Sequence, residues 1–298
     1  MKGSVSMVKK RNKDDIIFDT VVISLLILTT ICILLPFFNI ISMSVSDEYA
    51  IMRGDVFFWP EGFSLRSYQK VFATNTIINA YGNTIFVAFA GCFFSLIMTS
   101  LAAYPLVFGD FSWRKLYSIF IMITMWFNGG LIPAFLVMNA LDLTDTLWAL
   151  ILVSLINPYH VLVLKAFFAS LPASMAESAR IDGANDFYIL WRIVTPLSKA
   201  AFATIGLWVI VLHWNDYLNP LVYLRTYNKY TLQLILRDLL LSTSFANSLS
   251  EMVDGNSTAL PEQLKYAIVV VAMAPMLIIY PFFQRYFVKG VMIGAVKG

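Results

Sequence analysis

Six long apolar stretches constrain this chain more than any other feature of its sequence. They lie at about residues 16–41, 77–107, 114–138, 146–168, 196–224 and 264–288. Each is long enough to cross a bilayer as a helix, which takes about 20 residues. Charged residues make up only 13% of the chain, whereas soluble domains carry roughly a quarter. The sequence therefore predicts an all-α integral membrane protein with six transmembrane helices in a lipid bilayer.

The positions of lysine and arginine predict how these helices are oriented. Most of the 21 basic residues fall on the inner side if the N-terminus lies inside, and an excess of basic residues marks cytoplasmic segments. We therefore expect both termini in the cytoplasm, with a tail at 1–15, a six-helix domain at 16–288 and a second tail at 289–298. The first apolar stretch is too long for a signal peptide and is interpreted as a retained anchor helix. The net charge of +3 is too small to indicate nucleic acid as a partner.

The polar segment "ESARIDGAND", residues 177–186, stands between two apolar stretches on the predicted cytoplasmic side. Ser174 is a candidate N-cap of a short helix, with Glu177 three residues later as in a capping box. Gly183 allows the left-handed turn that ends such a helix. Either Asn185 or Asp186 can cap a second helix, which runs to residues 195–196.

The first of these short helices has small side chains along one face, which the sequence predicts to be exposed. Such a face fits into a groove on another protein, with Glu177 and Arg180 at the rim. The alternative interpretation is that Glu177 only caps its own helix and that the segment is a solvated loop. The face consists of Ala173, Ala176 and Ala179.

The longer stretch "ESARIDGANDFYILWRIVTPLSKA" resembles the cytoplasmic EAA loop of the membrane subunits of ABC importers. Ser178 departs from the usual alanine and Thr195 from the common leucine. Other stretches, "NGGLIPAFLVMNALDLTDTLWALIL", "HWNDYLNPLVYL" and "YPFFQRYFVKGVMIGAVKG", resemble the carbohydrate-type permeases, within them the LplC/YtcP-like group related to MalG. The resemblance covers nearly the whole chain. The residues that match the loop pattern are Glu177, Ala179, Asp182, Gly183, Ala184 and Pro196.

This resemblance implies the fold of an ABC type I importer permease in a bacterial cytoplasmic membrane. The chain would be one half of a paired membrane unit, with a second homologous permease subunit as its partner in a heterodimer. Two ATPase subunits would bind ATP and Mg on the inner side, and an extracytoplasmic solute-binding protein would deliver a sugar. The chain itself has no GxxxxGK phosphate loop, and we expect no cofactor, no metal site and no enzymatic activity in it.

The resemblance also implies that residues 172–196 form the coupling helix that seats on the ATPase. Glu177 would be the main charged contact, and Gly183 would supply a turn that other residues adopt at a cost. The predicted coupling residues are Glu177, Ala179, Arg180, Asp182, Gly183 and Ala184.

Polar side chains inside a membrane bundle are costly and are therefore functional candidates by default. Trp214 could stack on a sugar ring, and Asn215 and Asp216 could bond its hydroxyl groups, although tryptophan and tyrosine also form interfacial belts. His160 is expected to be internally bonded. The candidate substrate path comprises Trp126, Asn128, Asn157, Tyr159, His213, Trp214, Asn215, Asp216 and Tyr217.

Residues 225–262 form a long outer loop, in which "LQLILRDLLL" predicts a short helix. The resemblance suggests that this loop contacts the solute-binding protein; the alternative is that it packs over the bundle. Asn256, Ser257 and Thr258 fit a glycosylation sequon that is short and common by chance. Cys32 and Cys92 each stand alone in an apolar run, which indicates a packing role.

Small residues recur every three or four positions along the second stretch, which lets another helix approach closely. They serve either packing within the chain or a subunit interface, and they are Ala88, Gly91, Ser95, Thr99 and Ala102.

Two other functional classes compete with an importer subunit. A proton- or sodium-coupled secondary transporter would use Asp216 as its ion site, but the chain has no visible inverted repeat. An intramembrane enzyme would need a catalytic pair, for which Asn157 with His160 or His213 with Asp216 are candidates. No HExxH or GxSxG signature accompanies either pair.

Overall fold

A computed structural model of the chain describes residues 13–73, 75–109, 111–250 and 262–295, with the side chains of 14–241 and 263–281 among them. Within these ranges every regular element is a helix. Two 3₁₀ turns, Tyr104–Leu106 and Tyr227–Lys229, join helices. The helices are α1 (Lys13–Ser44), α2 (Glu48–Met52), α3 (Arg66–Ala73), α4 (Asn75–Ala103), α5 (Arg114–Trp126), α6 (Leu131–Ala140), α7 (Leu147–Val153), α8 (Pro158–Ala169), α9 (Ala173–Ile181), α10 (Asp186–Leu197), α11 (Lys199–Asn215), α12 (Leu218–Tyr223), α13 (Leu232–Ser250) and α14 (Glu262–Ala295).

Three of the six predicted spans lie on single continuous helices: α1, α4 with the turn that follows it, and α14. The other candidate spans are pairs of helices bent at a short break, by 109° between α5 and α6, 56° between α7 and α8, and 86° between α10 and α11. The predicted third and fourth spans are thus not straight helices. The described residues contain three helices that could cross a membrane, or up to six if each bent pair is one span.

The first compact unit consists of the described residues up to 70 together with 262–270. Its polar centre is Gln263, whose side chain accepts a 2.9 Å hydrogen bond from Ser67 Oγ and donates one of 2.9 Å to the carbonyl of Ser64. Ser44 and Tyr68 share a 2.7 Å hydrogen bond beside it. The apolar part is small, and its buried members are Ala50, Ile51 and Val56, with Met43 and Tyr266 against them.

The second unit, residues 71–250 and 271–295 as described, is built around α4. The small-residue face of α4 is buried against α11, so it serves packing within the chain, as one of the two alternatives predicted. Gly91 is the closest point: a Cβ atom placed there would lie 2.5 Å from His213 Nε2. Cys92 packs beside it, as predicted, whereas Cys32 is exposed in this chain and its predicted packing role stays a prediction.

The start of the predicted outer loop is tied to the rest of the second unit by polar contacts. Asp145, with a left-handed φ of 58°, accepts hydrogen bonds from the backbone and hydroxyl of Thr226 and from Lys229 Nζ. The backbone N–H of Leu232 donates to Thr84 Oγ1 over 2.9 Å. The predicted short helix is confirmed and continues to Ser250; the sequon at 256–258 lies outside the described residues.

Candidate functional site

The polar segment folds as helix, glycine turn and helix. α9 begins at Ala173 after Pro172, which makes no side-chain cap, so the predicted Ser174 cap is wrong. The turn has Gly183 at φ +85°, and the N–H of Ala184 donates to the carbonyl of Ala179 over 2.9 Å. That bond satisfies a carbonyl at the helix end, as in a Schellman motif.

The second helix of the segment is capped by Asn185. Its Oδ1 accepts a 2.8 Å hydrogen bond from the N–H of Tyr188, which confirms one of the two predicted caps. The middle of α10, Ile189–Val194, is π-helical, and short π segments occur often at functional sites. α10 and α11 meet at an angle of 86°, so the chain changes direction sharply where α11 begins.

Two of the three alanines on the predicted face of α9 point into the protein. Ala176 is 3% exposed and belongs to a core that also contains Ile189 and Leu190 of α10. Ala179 packs against the same core. The prediction of an exposed alanine face is therefore wrong for Ala176 and Ala179, whereas Ala173 is exposed as predicted. The reason is that small side chains let α9 lie close to α10. What the segment exposes instead includes Ile181, at 86%.

Arg180 holds the segment to the end of α4. Its Nη2 atom donates to Asp186 Oδ1 over 2.9 Å and also to the carbonyl oxygen of Phe108. The same Asp186 oxygen accepts a 2.9 Å hydrogen bond from the hydroxyl group of Tyr104. We call these four residues the loop clamp. It joins both short helices to the chain that follows α4, which sequence reasoning missed because Tyr104 and Phe108 are distant in sequence.

Glu177 is exposed, and no hydrogen bond or ion pair engages its side chain within the described residues. It therefore does not close the predicted capping box. The carboxylate of Glu177 is therefore available for contact with another protein. Asp182 and Gly183 are exposed beside it.

A second candidate site is a cavity of about 200 Å³ between α11 and the breaks in two bent spans. Three residues of the predicted substrate path, Asn128, Asn157 and His213, line it together. Ser154 and His160 join them, and sequence reasoning assigned neither to the path. The signals were present as the breaks "FNGG" and "SLINP", where helix-breaking residues interrupt apolar runs. The remaining lining residues are Val153, Ile156, Pro158, Val209 and Leu212.

Each asparagine at the cavity shapes the helix that follows it. Asn128 Oδ1 accepts a 2.9 Å hydrogen bond from the N–H of Gly130, and Asn157 Oδ1 accepts one of 2.9 Å from the N–H of Tyr159. The Nδ2 atom of neither amide donates a hydrogen bond within the described residues. Each side-chain oxygen therefore fixes the start of the following helix, while the Nδ2 atom remains as a hydrogen-bond donor.

His160 was expected to be internally bonded, and its Nδ1 atom contradicts this. The side chain is 6% exposed and stacks on Trp208, with ring centroids 5.6 Å apart and planes at 25°. Its Nδ1 is buried without a hydrogen-bond partner among the described residues. A buried polar atom left unpaired is costly, and native structures contain few of them.

The remaining path candidates lie elsewhere. Trp214 is 3% exposed and donates from Nε1 to the carbonyl of Ala272 over 3.2 Å, so it cannot stack on a sugar as predicted. Asn215 donates to the carbonyl of Val211 over 2.9 Å. Asp216 accepts hydrogen bonds from the backbone and side chain of Asn219, which fix the start of α12.

Three aromatic candidates are outside the cavity lining. Trp126 is largely exposed, and Tyr159 is half-exposed against Trp208, with ring centroids 5.6 Å apart. Tyr217 lies under the guanidinium of Arg237, which is 6.0 Å from the ring centroid, in an open cavity of about 420 Å³.

Comparison with known proteins gives three matches that agree with each other. The family described as "Binding-protein-dependent transport system inner membrane component" matches residues 90–293. A polygalacturonan/rhamnogalacturonan transport system permease protein, YtcP of Bacillus subtilis, is 38% identical over 284 residues, or 95% of this chain and 99% of the relative. The protein LplC of the same organism is 38% identical over 89% of this chain and 90% of its own length.

A solved structure matches most of this chain. One chain of a bacterial ABC transporter involved in the import of the acidic polysaccharide alginate superposes with a TM-score of 0.84 at 34% identity. The match covers 94% of this chain and 100% of that one. Residues 90–293 contain α9, α10 and every residue that lines the 200 Å³ cavity.

Proposed function

Because the chain belongs to the family of binding-protein-dependent transport system inner membrane components, and is thus a permease subunit of an ABC importer, we propose that its cargo is an oligosaccharide. Its relatives include permease proteins of transport systems for polygalacturonan or rhamnogalacturonan and for arabinooligosaccharides. ATP hydrolysis belongs to separate subunits of such importers. Those subunits bind ATP and Mg, and a solute-binding protein brings the sugar to the outer side.

The proposed arrangement in the membrane follows the charge distribution. Six spans within residues 16–288 place both termini, 1–15 and 289–298, in the cytoplasm. A second homologous permease completes the translocation path as a heterodimer. The segment at 225–262, which includes α13, contacts the solute-binding protein.

We propose that residues 172–196 couple this subunit to the ATPase. The observation that carries this is the contrast between Glu177 and Arg180. Arg180 is engaged in the loop clamp, whereas Glu177, one turn earlier on the same helix, is exposed and unengaged in the described chain. The helix is thereby fixed on one side and presents an acidic side chain on the other. The docking set is Glu177, Ala179, Asp182, Gly183 and Ala184, with Arg180 positioning the helix.

A movement of α9 would reach the membrane region by two routes. The clamp connects Arg180 and Asp186 to Tyr104 and Phe108 at the end of α4. α10 also continues into α11 through a sharp bend. Closure of the ATPase pair would therefore move α4 and α11 together.

Gly183→Leu tests this proposal with a matched control. Gly183 and Gly54 both have left-handed φ, +85° and +75°, and at both a Cβ atom meets nothing within 4 Å. The backbone strain of a leucine is therefore similar at the two sites, about 1–2 kcal/mol. We expect Gly183→Leu to abolish ATP-driven uptake and co-purification of the ATPase, and Gly54→Leu to preserve both.

Glu177→Ala gives the second arm, with the exposed Glu61→Ala as its control. We expect only the former to weaken ATPase binding and uptake. Normal assembly and uptake in both Glu177→Ala and Gly183→Leu would refute the coupling role. Uptake by vesicles that lack any ATPase subunit would instead support an ion-coupled carrier through Asp216, whose oxygens are already engaged by Asn219.

A further inference from the structure

The 200 Å³ cavity is formed where two candidate spans lose their helical backbone. The break between α5 and α6 contributes Asn128, and the break between α7 and α8 contributes Ser154 and Asn157. Non-helical backbone at membrane depth is tolerated only where it is buried in protein or lines a polar cavity. Discontinuous helices of this kind form binding sites in many transporters. The breaks therefore indicate a site and not a packing defect.

The lining offers both hydrogen-bond donors and acceptors but no charge. The Nδ2 atoms of Asn128 and Asn157 are donors without a recorded partner in the described chain. Each break also places a helix end beside a helix start, which leaves carbonyl acceptors and N–H donors close together. Among the lining residues none is acidic, and none is lysine or arginine. A buried carboxylate would thus lack a partner charge, which is costly.

His160 supplies an independent sign that the cavity receives a ligand. Its ring is held by Trp208, it lines the cavity, and its Nδ1 is buried and unpaired among the described residues. His213 of α11 also lines the cavity and lies close to Gly91. A hydroxyl group both donates and accepts hydrogen bonds, so a polyol would satisfy this mixed set of partners.

We propose that this cavity is a subsite that binds the hydroxyl face of one sugar residue as the oligosaccharide passes, and that it does not read the charge of the sugar. Its volume is below the roughly 300 Å³ at which sites for larger ligands begin, which fits one ring and not a whole chain. This inference rests on the proposed function. It deepens it by assigning direct sugar contact to this subunit through Asn128, Asn157 and His160.

The test uses the complete importer, with its partner permease, ATPase and binding protein, reconstituted in vesicles. The probes are a radiolabelled galacturonate trisaccharide and the matched galactose trisaccharide, which differ in a carboxylate. His160→Phe keeps a ring against Trp208, and Asn157→Ser keeps an oxygen at the helix start. The measured quantity is sugar moved per ATP hydrolysed. Asn139→Ser, at an exposed asparagine of α6 outside the cavity, is the control.

We expect His160→Phe and Asn157→Ser each to lower this ratio about tenfold for every probe that the wild type transports, as the loss of one good hydrogen bond would. The control Asn139→Ser should leave this ratio, basal ATP hydrolysis and assembly at wild-type levels. A folding defect would instead lower ATP hydrolysis and sugar flux together, and co-purification of the ATPase reports it directly.

Each other outcome overturns a distinct statement. Ratios within about twofold of the wild type in both variants, with normal wild-type uptake, would refute the subsite and leave the permease function intact. A loss of sugar flux that is matched by an equal loss of assembly would also refute the subsite. A loss confined to the galacturonate probe would refute the assignment to hydroxyl groups. Failure of the wild type to transport either probe would refute an oligosaccharide cargo of this kind and the subsite with it.

Discussion

Gly91→Ala tests how tightly α4 and α11 pack at the centre of the second unit. A Cβ atom at position 91 would lie 2.5 Å from His213 Nε2 and 2.8 Å from its Cδ2. Ordinary contacts between such atoms are about 3.5–4 Å, so the overlap is about 1 Å. The His213 ring is buried and has little room to retreat.

The expected magnitude is the difference between two effects. Adding a methyl group to a closely packed interior costs about 1–3 kcal/mol. Alanine in a helix interior is favoured over glycine by about 0.8–1 kcal/mol. The net expectation for Gly91→Ala is a loss of about 0–2 kcal/mol in the free energy of unfolding.

Gly82→Ala is the matched control, since Gly82 lies on the same helix and a Cβ atom there meets nothing within 4 Å. That variant should gain up to about 1 kcal/mol, so the two alanine variants should differ by the cost of the overlap alone. The free energy of unfolding would be measured by detergent titration of the purified protein, with SDS as the denaturant.

A double-mutant cycle identifies the partner atom. His213→Ala removes the ring that the new methyl group would meet, so Gly91→Ala should cost less in that background, with a coupling energy of about 1–3 kcal/mol. Equal stability of Gly91→Ala and Gly82→Ala, or strict additivity with His213→Ala, would refute the close packing.

Three further predictions address other contacts. The hydrogen bond from Thr226 Oγ1 is the main cause that holds the pKa of Asp145 well below its ordinary value. The ionised Asp145 carboxylate therefore stabilises the folded protein fully above the unfolded carboxyl pKa of about 3.9. This stabilisation is lost as the pH falls below that value. Asp145→Asn should therefore lower the Tm more than the exposed control Asp142→Asn at pH 6. The difference in Tm between the two variants should become smaller between about pH 5 and 3, and a difference that grows would contradict this. Asn185→Ala should cost about 1 kcal/mol of unfolding free energy, and Asn185→Asp should retain most of it. Arg180→Gln should lower the free energy of unfolding by less than about 1 kcal/mol because the ion pair with Asp186 is partly exposed. It should nevertheless lower the amount of sugar moved per ATP hydrolysed. An unchanged ratio would show that the loop clamp does not transmit the motion.

The number and place of the apolar stretches could be predicted from sequence because hydrophobicity over about 20 residues is a strong signal. The turn at Gly183 was predictable for a similar reason, since few residues other than glycine adopt its φ. The breaks at Asn128 and Asn157 were not predicted. A window that averages hydropathy hides one polar residue, although the neighbouring glycines and proline mark the interruption.

The orientation of side chains was the other failure, and it depends on tertiary contacts. Ala176 was assigned to the surface and Trp214 to the sugar path, but α10 covers the first and the carbonyl of Ala272 engages the second. No local pattern reveals that Asp186 would meet Tyr104, 82 positions earlier. Periodicity defines a face of a helix, whereas only the partner helix decides whether that face is buried.

Both ends of α4 are fixed to segments proposed to contact other proteins, which suggests how a signal crosses the membrane. At one end the loop clamp binds Tyr104, and at the other Thr84 and Asn83 bind the chain that leads into α13. α4 with the turn after it is continuous over 32 residues, or about 48 Å, whereas three neighbouring candidate spans are bent pairs. A displacement is therefore expected to pass along α4 as a rigid rod, while the bent pairs change their angles.

Spin labels can separate the rigid element from the bent ones after the two native cysteines are replaced. A pair at the exposed positions Ile78 and Leu101 reports the length of α4, and a pair at Phe120 and Leu136 spans the break between α5 and α6. In the assembled importer, ATP should leave the first distance unchanged and shift the second. A change of similar size in both would mean that α4 bends, and its role as a rod would be wrong. A fixed second distance would mean that the break serves the cavity alone and not the motion.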